Sequence, residues 1–271
     1  GRRYEDLEGR SEMLNLKNMK SSLVKLAPAM VLTAVMSVSM ATPGLAGIEN
    51  TKHNLTSAGP GTVKTSDAGV EICAFCHTPH GSDNSAAAPL WNKALPTAGS
   101  FTTYDNTFSS TIDSTVDLAG SISLACLSCH DGSGAIDNMI NIPGSGGYNA
   151  SGASAGYTGL TTMPAGVTNL GTDLTNDHPV GIKYAGAGGN GWAAVDDKFV
   201  ADTNVKYDAA KGWWVETGGN TTRNSTDLVL YTRSSAPYVE CATCHDPHSE
   251  EATFLRIANT GSAVCKSCHN K

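Results

Sequence analysis

CATCHDPH, residues 241–248, sets a histidine directly behind a Cys-x-x-Cys pair and places a second histidine three residues further on. Nearly the same string, CAFCHTPH, occupies residues 73–80, and two shorter versions, CLSCH and CKSCH, end at His130 and His269. Together they use all 8 cysteines of the chain, in the units Cys73-Cys76-His77, Cys126-Cys129-His130, Cys241-Cys244-His245 and Cys265-Cys268-His269. The long form opens each half of the chain and the short form closes it, an internal repeat of a two-unit module.

A Cys-x-x-Cys pair alone would suit a thiol redox centre or half of a zinc site, but with histidine next in line it is the attachment signature of c-type haem. The two thiols add to the porphyrin vinyl groups and the adjacent imidazole is held under the iron as proximal ligand. Two four-cysteine zinc ribbons would leave four histidines without a role. A disulfide framework, common in exported proteins, is a poor match for pairs this close in sequence. The expectation is four covalently bound haem c groups, each with its iron.

With His77, His130, His245 and His269 assigned as proximal ligands, His53, His80, His178 and His248 remain of the 8 histidines, one for each iron. Methionine is the competing axial ligand, but of 7 only Met139 and Met163 lie beyond residue 46. Bis-histidine ligation throughout is therefore expected. His80 and His248 follow a proximal histidine too closely to reach the opposite face of the same porphyrin and must serve another haem. Pro79 and Pro247 stop the local turn and aim the imidazole outward.

From Met19 to Ala46 the chain reads as a secretory leader: Lys20 and Lys25, then an apolar run to about Ala41, then small residues at a cleavage-type site after Ala46. The run is interrupted by Pro28 and is too short for a membrane span, so no stable membrane insertion is expected after cleavage. Residues 1–18 read as upstream sequence with no structural role. Residues 47–271 form the haem-binding domain, with modules over about 47–140 and 175–271 and a Gly/Ser/Thr-rich connection.

Small polar residues dominate that domain and no 3.6-residue period is sustained. The expected fold class is mostly irregular coil with short helices and a few short strands, a multihaem cytochrome c wrapped around a row of four haems that themselves supply the core. Helical turns are expected at SISLACLSCH and SAVCKSCH, where the spacing sets both cysteines and the histidine on one side. Residues 213–217 and 227–232 flank GGNTTRNS as a long-looped hairpin. PGSGGYNASGASAGYTGL, residues 143–160, reads as a surface loop. Trp91, Trp192, Trp213 and Trp214 are expected to pack in the interior. A formal net charge of −7 disfavours nucleic acid as a partner.

The strings CHTPH and CHDPH, with LTNDHPVGI at residues 174–182 and the leader before them, resemble the multihaem c-type cytochromes of metal-reducing bacteria. Four haem units in a chain of this length are most similar to the outer-surface tetrahaem cytochromes that polymerise into nanowire filaments, the OmcE type. That resemblance implies a Sec-secreted, extracellular electron conduit that polymerises with itself, exchanges electrons with other multihaem cytochromes, and has one axial histidine, His80 or His53, given to a neighbouring subunit. Two other classes stay open: a periplasmic tetrahaem shuttle, and a multihaem reductase of a small nitrogen species. A reductase needs an open iron position, and the histidine count can close all four. The reading is thus of an electron-transfer protein with no catalytic residues.

Overall fold

The computed structural model describes residues 47–104, 112, 114, 116–144, 146–184 and 204–270. The expected leader and Trp192 lie outside these residues.

Among the described residues, two antiparallel sheets with seven strands, and few helices, form the scaffold. This corrects the expectation of a coil-dominated chain wrapped around its haems. The reason lies in residues 205–239, where VKYD, GWWV, LVLYTR and APYV gather the β-branched and aromatic residues that fit a pleated, half-buried surface. Strands β4 (Val205–Asp208), β5 (Gly212–Val215), β6 (Leu228–Arg233) and β7 (Ala236–Val239) form a meander, and the two-residue β3 (Ile182–Lys183) adds to its edge in the order β3-β7-β6-β5-β4. The expected hairpin is present as β5–β6, with Trp213 opposite Leu230 and Val215 opposite Leu228.

The β6–β7 hairpin turns through Ser234 and Ser235 at φ 48° and 67°. Two consecutive left-handed residues are what a type I′ turn requires, but Asn-Gly or Asp-Gly is the sequence that normally announces one. At the β4–β5 turn the Asp208 carboxylate accepts from the backbone N–H groups of Ala210 and Lys211, a side-chain-closed turn.

Residues expected to form a surface loop include a strand instead. β2 (Gly147–Ser154) pairs with β1 (Asn138–Ile142), with a register irregularity between Met139 and Asn141. β2 is nearly all exposed. Its polar composition therefore reports an outward-facing strand rather than the absence of one.

The protein also has apolar clusters of its own. Tyr184, Trp213, Val215, Leu228 and Leu230 form one beneath the large sheet, against which Cys268 packs. Phe101, Ala119, Leu124, Leu127 and Leu174 form a second. Phe75, Ile136, Met139 and Leu160 form a third, with Cys76 and Cys129 at its margin. Each apolar side chain fully buried in such a cluster stabilises the fold by roughly 1.5–3 kcal/mol. Trp213 and Trp214 are buried as expected.

A candidate haem-ligand array

Every Cys-x-x-Cys-His unit sits on a helical turn. In helix α1 (Ser121–His130) Cys126, Cys129 and His130 stand at i, i+3 and i+4, hence on one face. Asp131 caps this helix and Gly132 leaves it at φ 72°. The other units repeat the geometry in miniature: a tight turn at Ile72–Phe75, helix α2 (Cys241–Cys244) and helix α3 (Ala263–Lys266). In these three the histidine backbone N–H donates to the carbonyl of the first cysteine, at 2.8 Å for His77, 3.2 Å for His245 and 2.9 Å for His269. None of the eight cysteines is in a disulfide. Among the described residues no cluster of three or more His, Cys, Asp or Glu could hold a metal ion.

The imidazoles are oriented by main chain. Nδ1 of His77 meets the Pro89 carbonyl at 2.7 Å, that of His130 the Thr168 carbonyl at 2.7 Å and that of His245 the Thr253 carbonyl at 2.8 Å. His53 Nδ1 meets the Pro247 carbonyl at 3.2 Å and His178 Nδ1 its neighbour's, Pro179, at 3.0 Å. A carbonyl oxygen only accepts, so Nδ1 carries the proton in all five and Nε2 presents a lone pair to a metal. The first and third units share a further device. Leu90 follows Pro89 at φ 54°, and Thr253 and Phe254 stand at φ 55° and 60°. For bulky or β-branched residues these are uncommon, strained conformations, and they turn the accepting carbonyl toward the ring.

Three imidazole pairs form across the fold. The rings of His77 and His248 lie nearly parallel, with centroids 6.0 Å apart and planes at 17°. His53 meets His130 at 6.2 Å and 78°, and His178 meets His269 at 6.4 Å and 69°. Two imidazoles on opposite faces of one iron, each with a metal–nitrogen bond of about 2 Å, set their centroids about 6 Å apart. The residues present therefore fit a six-coordinate haem iron at three positions, each joining one proximal and one distal candidate from the sequence. His245 and His80 make no ring contact with another imidazole among the described residues, although His245 lies near enough to His53 to act on its charge. His80 is exposed, its own carbonyl held by Thr78 Oγ1 at 3.0 Å and Asn141 Nδ2 at 3.1 Å.

Secondary contacts fix these rings. Phe254 stacks on His53 at 4.1 Å, and burial lowers the His53 pKa below its ordinary value, with His130, His248 and His245 adding to the effect. The hydrogen bond from His248, together with Arg256, holds Asp246 down at about 2. Burial pushes the Cys76 thiol up to about 12, with Cys129 as its charged neighbour. Cys126 stays protonated because it donates to Cys241, so the second and third units touch through their sulfurs. Burial likewise raises Cys244 to about 11, with Cys265 adding to it, and Cys268 to about 12, with Cys244 adding to it.

Sequence reasoning missed the group that joins those two units. Glu240, 1% exposed, accepts from Ser123 Oγ at 2.6 Å and from the Gly120 N–H at 3.1 Å, and pairs with Arg233 at 3.2 Å. Ser123 Oγ in turn accepts from the Cys241 N–H at 3.0 Å, and the Glu240 N–H donates to Thr243 Oγ1 at 2.9 Å. The only signal was an acidic residue directly before a short helix.

Among the described residues no helix is long and apolar enough to cross a membrane. Residues 236–271, the third and fourth units, match the family described as the doubled CXXCH motif. This points to a c-type cytochrome-like protein that binds haem c covalently and transfers electrons. No curated protein matches the chain.

Proposed function

We propose that the chain carries electrons through four covalently bound, bis-histidine haems and that it does so as the subunit of a secreted, self-assembling cytochrome filament at the outer cell surface. The observation that carries this reading is the imidazole arithmetic: three proximal–distal pairs close within one chain, and one proximal ring, His245, and one exposed distal ring, His80, are left over. A ligand lent by His80 to His245 of the next copy completes the fourth pair and joins subunits in the same step. His53, the other candidate lender, faces His130 in its own chain, so the geometry favours His80. The iron, when bound, supplies a reversible one-electron change. The protein's part is to hold Nε2 of each ring in place through Nδ1, to close every iron against substrate, and to keep the attachment cysteines of consecutive units adjacent.

That adjacency runs in chain order. Cys76 neighbours Cys129, Cys126 hydrogen-bonds to Cys241, and Cys244 neighbours Cys265. These neighbours support a row of redox centres in the order one, two, three, four, and close centres exchange electrons quickly. A reductase would need an iron with an exchangeable ligand, and the in-chain pairs leave that option to the His245 iron alone. Partners under this reading are further copies of the chain and other multihaem cytochromes.

The test is to purify the secreted protein, count haems by alkaline pyridine spectrum against polypeptide mass, and image it by cryo-electron microscopy. Four haems per chain in filaments, all low-spin, is the expected result. Dispersed monomers with one high-spin haem in four would place the protein as a periplasmic shuttle or a reductase instead.

A further inference from the structure

A cavity of about 670 Å³ opens beside the large sheet, bordered by Pro89, Lys211, Arg223, Tyr231, Asp246 and Arg256 among others. Three cations against one carboxylate is an unexpected balance in a chain of net charge −7. Arg256 is committed in part: it donates to the Ala242 carbonyl through Nε at 3.1 Å and Nη2 at 3.0 Å, and reaches Asp246 at 3.4 Å. Arg223 is steadied by the Lys211 carbonyl. The Lys211 side chain has no carboxylate within ion-pair distance among the described residues. The cavity thus holds more positive charge than the protein itself balances.

The cavity also has an address. Pro89 is the residue whose carbonyl holds His77, and Asp246 is the residue bonded to His248. Two lining residues therefore hold the two rings of the near-parallel pair. On the other side, Tyr231 has Cys126 among its charged neighbours, and Cys126 touches Cys241. Porphyrin carboxylates lie on the edge opposite the thioether attachments, so a haem fixed at Cys126 or at Cys241 directs its carboxylates away from this place. The haem flanked by His77 and His248 would be attached at Cys73 and Cys76, neither of which borders the cavity.

We infer that Lys211, Arg223 and Arg256 form a carboxylate cradle for the two propionates of the haem attached at Cys73 and Cys76. This rests on the four-haem reading above. The cradle neutralises the most highly charged edge of that porphyrin and stabilises its reduced, more negative state, which makes the first haem more easily reduced than it would otherwise be.

The test uses the full haem-loaded protein. Arg223→Gln and Lys211→Gln are compared with wild type by spectroelectrochemical titration, after haem content confirms four per chain in each. One of the four midpoint potentials should fall in each variant and fall further in the double variant, while the other three stay in place. The affected haem is identified by His248→Met, whose thioether ligand raises the potential of the iron it serves; the same component should respond to both changes. Lys211 lies on an exposed turn, so its variant reports even if Arg223→Gln folds poorly. Unchanged potentials in Lys211→Gln and the double variant, or a shift in a component that His248→Met leaves alone, overturn the cradle while leaving haem attachment intact. Tight binding of added citrate to the wild-type holoprotein, lost in Arg223→Gln, overturns it in favour of an external anion. A haem count below four defeats the underlying reading instead.

Discussion

His77 and His248 lie nearly parallel, 17° between their planes and 6.0 Å between their centres, although one belongs to the first unit and the other to the loop behind the third. The other two pairs are steeply crossed, at 78° and 69°. Parallel and crossed axial imidazoles split the iron d orbitals differently. The ferric protein should therefore show one rhombic low-spin signal in its electron paramagnetic resonance spectrum beside at least two strongly anisotropic ones. His248→Ala should erase the rhombic signal alone, and loss of an anisotropic signal in its place would reject the pairing.

The leftover pair gives a different outcome. His80→Ala should yield dispersed subunits with four haems, one of them high-spin, and added imidazole should restore the low-spin spectrum without restoring filaments. Normal filaments with every haem six-coordinate would mean that assembly rests on protein surfaces and not on a shared ligand.

The pH dependence of stability should carry the signature of Glu240. Burial raises its pKa above the ordinary carboxylate value, more than its partners Ser123, Gly120 and Arg233 lower it. The protonated form is thus favoured by folding. Its contribution is fully present below the unfolded pKa, about 4.3, and is lost as pH rises through the higher folded value. Wild type should lose stability relative to Glu240→Gln across that window and hold a constant difference above it. Glu240→Ala should cost about 3 kcal/mol at neutral pH, because Arg233 and the Ser123 hydroxyl lose their partner. Denaturant midpoints measured from pH 4 to 8 check both, and a Glu-to-Gln difference that moves the other way with pH would contradict the burial argument.

How much of this could be read in advance differs by residue. Attachment and proximal roles for Cys241, Cys244 and His245 are local: their spacing and the helical turn carry the same information. The pairing of His77 with His248 is not, because it depends on two loops meeting across the fold. The β6–β7 hairpin escaped notice because Ser234 and Ser235 adopt left-handed angles without glycine. β2 escaped because an exposed strand needs no alternating apolar residues. Composition suggested that the protein lacked a core, yet Tyr184, Trp213, Val215, Leu228 and Leu230 build one where the pattern is densest.

Strain at Leu90 offers a further test. A leucine at φ 54° costs about 1–2 kcal/mol relative to glycine in the same conformation, and Leu90 is half exposed, so little packing opposes its removal. Leu90→Gly should raise the thermal midpoint slightly with the His77 ligation spectrum unchanged. A fall of more than a few degrees would mean that the side chain, and not the bent backbone, holds the Pro89 carbonyl in place.

Five imidazoles take their orientation from main-chain carbonyls at Pro89, Thr168, Thr253, Pro247 and Pro179. Carbonyls are indifferent to the side chain beside them, so the positions that aim the ligands can change identity without loss, whereas adding or deleting one residue swings the oxygen away from its ring. For such a chain, loop length is the heritable parameter and loop spelling is close to neutral: two relatives could differ at nearly every connecting residue and still hold the rings alike, while a single-codon insertion between His245 and Thr253 would swing that carbonyl off its imidazole.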